Sequence, residues 1–597
     1  MFKNVRFLKP HLHRIYTSSA LQGIRGNGVA ITIASTVLAG SGLWLSSSVV
    51  YNDSAAQSLN AGKPKTIAVA VEKPNDPNTL YSLVWGSNAN KTLSPDLSVD
   101  AALRTPAVAH WLDGVALRDL QLHRTHAACV DARGDVYQWG SGFFGETLSG
   151  AHLPKLTLRG KLTDEKIYAL SASGKVYSLS REIMDQKLLP GSPTPSSDSW
   201  WGTGWLWGED ETVDYVQLTP TEKLGWRESF ISIKAGQNHL LGLTSSGRVF
   251  AHPVNKQANH YGQLGFSKFS IPDHASAVTK QEAHLHVELI PKSLKDPFVN
   301  SSRGVRIKST TYTSQNLVNV DDKSVRFCPY FFEVPVLRGV QGAEVAAGGR
   351  TSFVRTQDGR VLGWGANEYG QIGLGANVAL DTITVPTEVI LWRFVPTNIR
   401  SKCLDVSAGG DLTSFTVERE GTKHTPTTID LLMSGNGQLG GLGNNLYSTV
   451  QGNPSRVKGI SGLLQSFGNV KRNKTLSFTD SDRLDRLEPI KPEEISISPS
   501  GHVLLSLNTA EESGGVGGRD LMVWGRNLDS ELGNGKKASL VIPTALQNSE
   551  GERFMLMNQK AGEVKDLHGK VWKRGVKVEQ RAVAGYASSI VYWKIVE

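Results

Sequence analysis

Cysteine is scarce in this sequence. Cys129, Cys328 and Cys403 are the only three among 597 residues, with no CxxC pair and no histidine spacing that makes a metal cage. A disulfide-stapled fold is therefore excluded, and no metal ligand set is legible. Cys129 and Cys403 lie in apolar runs, which suits buried and inert thiols. Acid is absent from the first 52 residues, the first carboxylate being Asp53. Lys3, Arg6, Lys9, Arg14 and Arg25 supply five of the nine excess positive charges. The rest of the chain is nearly balanced, which argues against a phosphate-binding surface. The glycine-rich GQIGLG (370–375) and GQLGGLGNN (437–445) have no P-loop lysine. They also lack the strand before and the helix after that a phosphate cradle needs, so tight turns account for them. No Ser/His/Asp set or paired-carboxylate signature stands out. No catalytic, cofactor-binding or metal residue is assigned, and the expectation is a protein that is not an enzyme and takes no cofactor.

What the leader contains is as informative as what it omits. In residues 1–16, Phe2, Val5, Leu8, Leu12 and Ile15 recur at three- and four-residue steps among basic side chains, the cationic amphipathic pattern of a mitochondrial presequence. Pro10 interrupts that helix. RIYTSS (14–19) places an arginine three residues before a cut between Tyr16 and Thr17. The alternative is a merely basic tail. Residues 29–50 (VAITIASTVLAGSGLWLSSSVV) carry no charge, and 22 residues of helix cover a hydrocarbon core of roughly 30 Å. They are expected to be a transmembrane helix, with a signal-anchor or a soluble Gly/Ser-rich linker as alternatives. Arg25 before the span and Asp53 after it favour a domain in the intermembrane space; a matrix-facing domain is the rival topology. The expected organisation is a presequence over 1–28, the span over 29–50, a linker over 51–78 and a folded domain over 79–597.

That domain repeats a phrase, and its 61 glycines suit many strands joined by tight turns. In AGGRTSFVRTQDGRVLGWG, Gly348 is followed by Gly359 and by Trp364-Gly365; in AGQNHLLGLTSSGRVF, Gly236 is followed by His239 and Gly247. LHRTHAACVDARGDVYQWG has His126, Gly134 and Trp139 at matching places. Weaker copies run through 166–180, through 406–443 with Gly409, and through 493–535 with Trp524-Gly525. AVAGYASSIVYWKI begins a copy at Gly585, and its missing second half stands at the other end as LYSLVWGSN, with Trp85-Gly86. Each copy is a set of alternating runs, hence a small antiparallel sheet with open edges and two faces to bury. Radial stacking covers both faces, and strands from the two ends sharing one sheet would close the circle. Centres near 129, 170, 239, 353, 415, 504 and 590 predict an all-β, seven-bladed β-propeller.

The residues AGQNH (235–239), YGQLG (261–265) and DGRVLGWGANEYGQIG (358–373) resemble the repeat of the regulator of chromosome condensation family. That resemblance implies the propeller, and it reports the scaffold without its site. Basic leader, single span and insertion-rich propeller together resemble the fungal mitochondrial inner-membrane members linked to assembly of the cytochrome bc complex, respiratory complex III. By that resemblance the partners are inner-membrane proteins, complex III subunits or assembly factors, with no nucleic acid expected.

Three features remain. His123 and His126 form an HxxH, but His126 occupies the repeat position of His239, so a structural histidine is expected there. The run WWGTGWLWG (200–208) offers Trp200 and Trp201 as partner contacts, while Trp207-Gly208 fits the repeat's own Trp-Gly. Insertions at about 181–199, 266–335 and 458–491 are long polar excursions suited to binding or to plain disorder. The expected function is a non-catalytic, membrane-tethered assembly scaffold. Rival readings are a guanine-nucleotide exchange factor for a mitochondrial GTPase and an RNA- or ribosome-associated matrix protein.

Overall fold

A computed structural model describes residues 79–95, 102–144, 156–187, 213–272, 284–294, 320–421, 426–466, 487–507, 518–547 and 551–596, apart from 158, 164, 377–379, 394 and 552. All of these fall in one compact unit, Thr66–Glu597. The presequence, its cut at Tyr16 and Thr17, the span 29–50, the linker 51–78, and Trp200 and Trp201 lie outside the described residues. Among the described residues no helix is long and apolar enough to cross a membrane, and the one α-helix among them is Ser141–Phe144.

The other described elements are short 3-10 turns and strands, the strands almost all in antiparallel meanders, with Tyr215–Pro220 and Tyr330–Glu333 as a parallel pair. Gly342–Ala347, Thr351–Thr356, Val361–Ala366 and Thr382–Glu388 pair in that order. So do Ser401–Gly409, Leu412–Arg419, Thr428–Gly437 and Ser448–Arg456, and Pro492–Ile497, His502–Leu507, Gly518–Gly525 and Leu540–Ala545. Asp119–Leu122 opens another such sheet and Arg159–Leu162 the next. In the sheet Phe230–Ala235, His239–Thr244 and Val249–Pro253, the fourth place is taken by Tyr330–Glu333. That strand comes from within 266–335, so the end of this expected insertion is built into a sheet.

Each sheet's first strand packs against the next one's. Phe230–Ala235 touches Gly342–Ala347, which touches Ser401–Gly409, then Pro492–Ile497, Val571–Ala584, Asp119–Leu122 and Arg159–Leu162, which returns to Phe230–Ala235. The cycle closes on itself, so each sheet has a neighbour on both faces, and the strand edges that remain are short ones at the inner and outer rims. Its seam is made by the two ends of the chain. Leu83–Ser87 pairs with Ser588–Ile595 (Leu83 opposite Val591, Gly86 opposite Ser588) and with Ala102–Val108. Because strands alternate in direction, the turns between first and second strands and the loops between third and fourth strands share one face, called here the glycine face.

The Trp-Gly dipeptide explains itself at Gly365. Its φ is +111°, and a Cβ there would stand 2.4 Å from the Arg350 carbonyl oxygen in the adjacent turn. Gly86 and Gly525 show the same conflict with Ala587 and Gly501. Only glycine lets the third strand pass so close to the first turn. In the loop that follows, Asn88, Asn259, Asn367 and Asn527 each accept through Oδ1 the N–H five residues on, at 3.0 to 3.3 Å, which fixes the loop as a compact turn.

Candidate functional site

The repeat residues meet between sheets. Trp364 Nε1 donates to the Gln263 carbonyl (2.8 Å), Trp85 to Glu531 (2.6 Å), Trp139 to Thr92 (2.9 Å) and Trp524 to Gly441 (2.9 Å). Every one of these indoles is buried, so the bond satisfies a donor that water cannot reach. A second donor meets the same carbonyl. Ser352 Oγ donates to Gln263 O at 2.7 Å, leaving its oxygen to accept from His239 Nε2 at 2.8 Å. Ser589 does this for Glu531 and His502 at 2.9 and 3.2 Å.

His126 occupies the equivalent place in its turn, but Ile167 stands where Ser352 and Ser589 stand in theirs, and His126 Nε2 has no hydrogen-bond partner. It packs instead against His123, with ring centroids 4.7 Å apart. Burial holds His239 down to about 4 and His502 to about 3, and lowers His126 as well, so these rings are neutral. Among the described residues no cluster of three or more His, Cys, Asp or Glu could hold a metal.

The sheets that depart from the repeat replace these links. His252, five residues after Gly247 as Trp364 is after Gly359, stands in the tryptophan's place; Nδ1 donates to Tyr330 O (2.8 Å) and Nε2 accepts from the Tyr168 hydroxyl (3.2 Å). This binds the returning strand Tyr330–Glu333 to its sheet. Lys166 takes the histidine place in its own turn. Its Nζ donates to Val254 O (2.7 Å) and Asp322 O (2.9 Å), and burial lowers its pKa to about 8.

Where the first turns converge on the glycine face they enclose a recess of about 450 Å³. Its rim is stitched by backbone bonds from Gln237 N to Gly349 O (2.8 Å) and from Gly349 N to Gly410 O (2.9 Å). Gly236, Gly348, Gly409 and Gly585 allow this approach. A Cβ on Gly409 would lie 2.1 Å from Ile497 O, and one on Gly236 would strike the His239 ring at 2.2 Å. Gly134, Gly247 and Gly359, all at positive φ, turn the chain on the opposite face.

Arg124 stacks on Tyr586 at 5.2 Å, and no carboxylate pairs with it among the described residues. It also lines an adjoining recess of about 530 Å³ with Glu165, Arg181, Glu182 and Lys323. Arg350, one residue further along its turn than the place matching Arg124, is committed to Glu368 (2.6 Å) and Asp411 (2.9 Å). Below the rim, burial and the Asp405 carboxylate push Glu344 up to about 7, while Arg355 pairs with it at 2.9 Å. These recesses can seat polar or acidic side chains of a partner. Sequence reasoning missed His502, Ser352 and Arg124. The extra residue in SPSGH hides His502, and a serine or arginine beside a repeat position has no signal until the turns are seen together.

Two models of the regulator of chromosome condensation (RCC1) repeat match, at 358–415 and 343–371. Over 269 residues, 44 % of this chain, it is 22 % identical to "Protein FMP25, mitochondrial" of Saccharomyces cerevisiae, of which 37 % is covered. It is 23 % identical to the ultraviolet-B receptor UVR8 of Arabidopsis thaliana over 307 residues, 50 % of this chain and 51 % of that one. The chain thus spans about half or less of the length of these curated relatives. Among solved structures, yeast RCC1 (Prp20) bound to Kap60 aligns with 91 % of this chain and 96 % of its own, at 14 % identity and a TM-score of 0.49. The chain carries repeats of the regulator of chromosome condensation family.

Proposed function

We propose that the sheets are the seven blades of a β-propeller over 79–597, with insertions at about 181–199, 266–335 and 458–491. Residues 29–50 tether it to the mitochondrial inner membrane after a presequence over 1–28 is cleaved between Tyr16 and Thr17. Its role is that of a non-catalytic scaffold on the intermembrane-space side, assisting assembly of a respiratory complex, complex III. The observation that carries this reading is the pairing of Leu83–Ser87 with Ser588–Ile595. The segment that follows the leader and linker is a strand of the propeller itself, so whatever holds residues 29–50 holds the whole array. Tethering in two dimensions raises effective concentration toward membrane-embedded partners. The similarity to a yeast mitochondrial protein supports the compartment, and the polar recesses on the glycine face are surfaces suited to subunits or assembly factors. Deleting the gene and separating respiratory complexes on native gels tests the role. Loss of mature complex III is expected; unaltered complex III, or a purified chain that accelerates nucleotide release from a mitochondrial GTPase, contradicts it.

A further inference from the structure

The strand Val571–Ala584 has fourteen residues where Phe230–Ala235, at the same place in its sheet, has six. The excess, about 25 Å of strand, runs past the face opposite the glycine face. It pairs with Met555–Lys565 as a hairpin, Lys560 opposite Lys577 and Glu563 opposite Arg574. We propose that this hairpin is a contact for an anionic lipid surface.

Its charges are arranged for an external anion. Lys560, Lys570, Lys573, Arg574 and Lys577 are exposed. Like charges directly opposite each other in a sheet destabilise it, yet Lys560 and Lys577 face each other in register. No carboxylate pairs with Lys560, Lys570, Lys573 or Lys577 among the described residues. The nearby acids are committed elsewhere, Glu563 to Arg574 (2.6 Å) and Asp566 to Arg133 (2.6 Å). Trp572 is half-buried, with Arg118 5.6 Å and Lys573 5.9 Å from its ring, and Val571 beside it is 43 % exposed. Trp572 rests on the apolar cluster that contains Val564 and Val576, so exposed Val571 is the apolar group the hairpin offers a headgroup layer, with the lysines supplying the charge. A single half-buried tryptophan offers no series of stacking platforms for unpaired bases, which disfavours nucleic acid.

The hairpin's position supports the same ligand. Gly114 N donates to Leu80 O (2.8 Å) and Lys565 N to Gly114 O (3.0 Å). Leu80, Val564 and Val576 share one apolar cluster, and Trp593 Nε1 donates to Tyr81 O at 2.9 Å. The chain thus enters the propeller beside the hairpin. For this point alone the proposal rests on the tether reading, which puts the bilayer at residues 29–50.

The full chain carrying Val571→Cys takes a polarity-sensitive dye at that site alone, because Cys129, Cys328 and Cys403 are buried. The dye should shift to the blue with phosphatidylcholine vesicles containing about 20 % phosphatidylglycerol and not with phosphatidylcholine alone, contact weakening about fivefold for each lysine removed. Changing Lys560, Lys570, Lys573 and Lys577 to Gln should abolish the shift, and changing them to Arg should keep it. An equal shift on neutral vesicles, a shift that survives the Gln variant, or one produced by polyuridylic acid and not by anionic vesicles overturns the proposal. Resistance of the same chain to alkaline carbonate extraction reads the tether separately, so either idea can fail without the other.

Discussion

The Trp364 indole nitrogen and the Ser352 hydroxyl both donate to one acceptor, the Gln263 carbonyl oxygen, at 2.8 and 2.7 Å, across the boundary between two sheets. Trp85 and Ser589 repeat the arrangement on Glu531 beside the seam that joins the chain ends. Removing the donor while keeping the ring tests its weight. Trp364→Phe should lower stability by about 1–3 kcal/mol, and Trp364→Ala by about 3–5 kcal/mol, as measured by chemical denaturation.

The histidines should differ by context. His239 reaches Ser352 across a sheet boundary, whereas His126 has Ile167 at that place. A double-mutant cycle of His239→Ala with Ser352→Ala should show a coupling of about 0.5–3 kcal/mol. His126→Ala combined with Ile167→Ala should show no hydrogen-bond coupling of that size, only a packing contribution.

Acid should destabilise the fold in a defined window. His239, His252 and His502 are depressed to about 4, 3 and 3 by burial, so below an unfolded value near 6.5 the unfolded chain binds protons that the folded chain refuses. The histidine contribution is therefore full above that value and falls from about pH 6.5 toward 4. The loss is about 2 kcal/mol per histidine by pH 5. Thermal midpoints at pH 7.5 and 5.0 measure the drop, and His239→Gln should shrink it.

Glu344 acts in the opposite sense. Its carboxyl is raised to about 7 by burial and by Asp405, so its contribution is present below the unfolded carboxylate value and is lost as pH rises through 7. Glu344→Gln should raise the thermal midpoint at pH 8 relative to the parent and lose that advantage at pH 5.

Glycine positions offer a matched pair. Gly365→Ala places a Cβ 2.4 Å from Arg350 O at φ +111°, while nothing lies within 4 Å of a Cβ on Gly562. The first should cost at least about 2 kcal/mol. The second, in the exposed hairpin, should change stability by less than about 1 kcal/mol.

Much of this fold is legible in residues whose role is local. Trp364-Gly365 and Gly359 announce strand and turn because a positive φ and a close backbone approach admit only glycine, and the split copy around Gly585 and Trp85 foretells the shared sheet. What escapes the sequence is whatever depends on two sheets at once. Ser352 is an ordinary strand residue until His239 and Gln263 are placed beside it. Tyr330–Glu333 reads as part of a polar excursion because its partners, Val249–Pro253 and Tyr215–Pro220, lie far away in the chain. The basic hairpin is hidden likewise, since Lys560 and Lys577 become neighbours only through their register.

The central claim, a propeller held on the outer surface of the inner membrane by the leader that feeds its closing strand, is tested most directly by protease protection. Intact mitochondria, mitoplasts and detergent-lysed mitochondria are treated in parallel, with an antibody against residues 551–596. The account predicts that the epitope survives in intact mitochondria and is lost once the outer membrane is opened. Survival in mitoplasts until detergent is added would place the propeller in the matrix and contradict it.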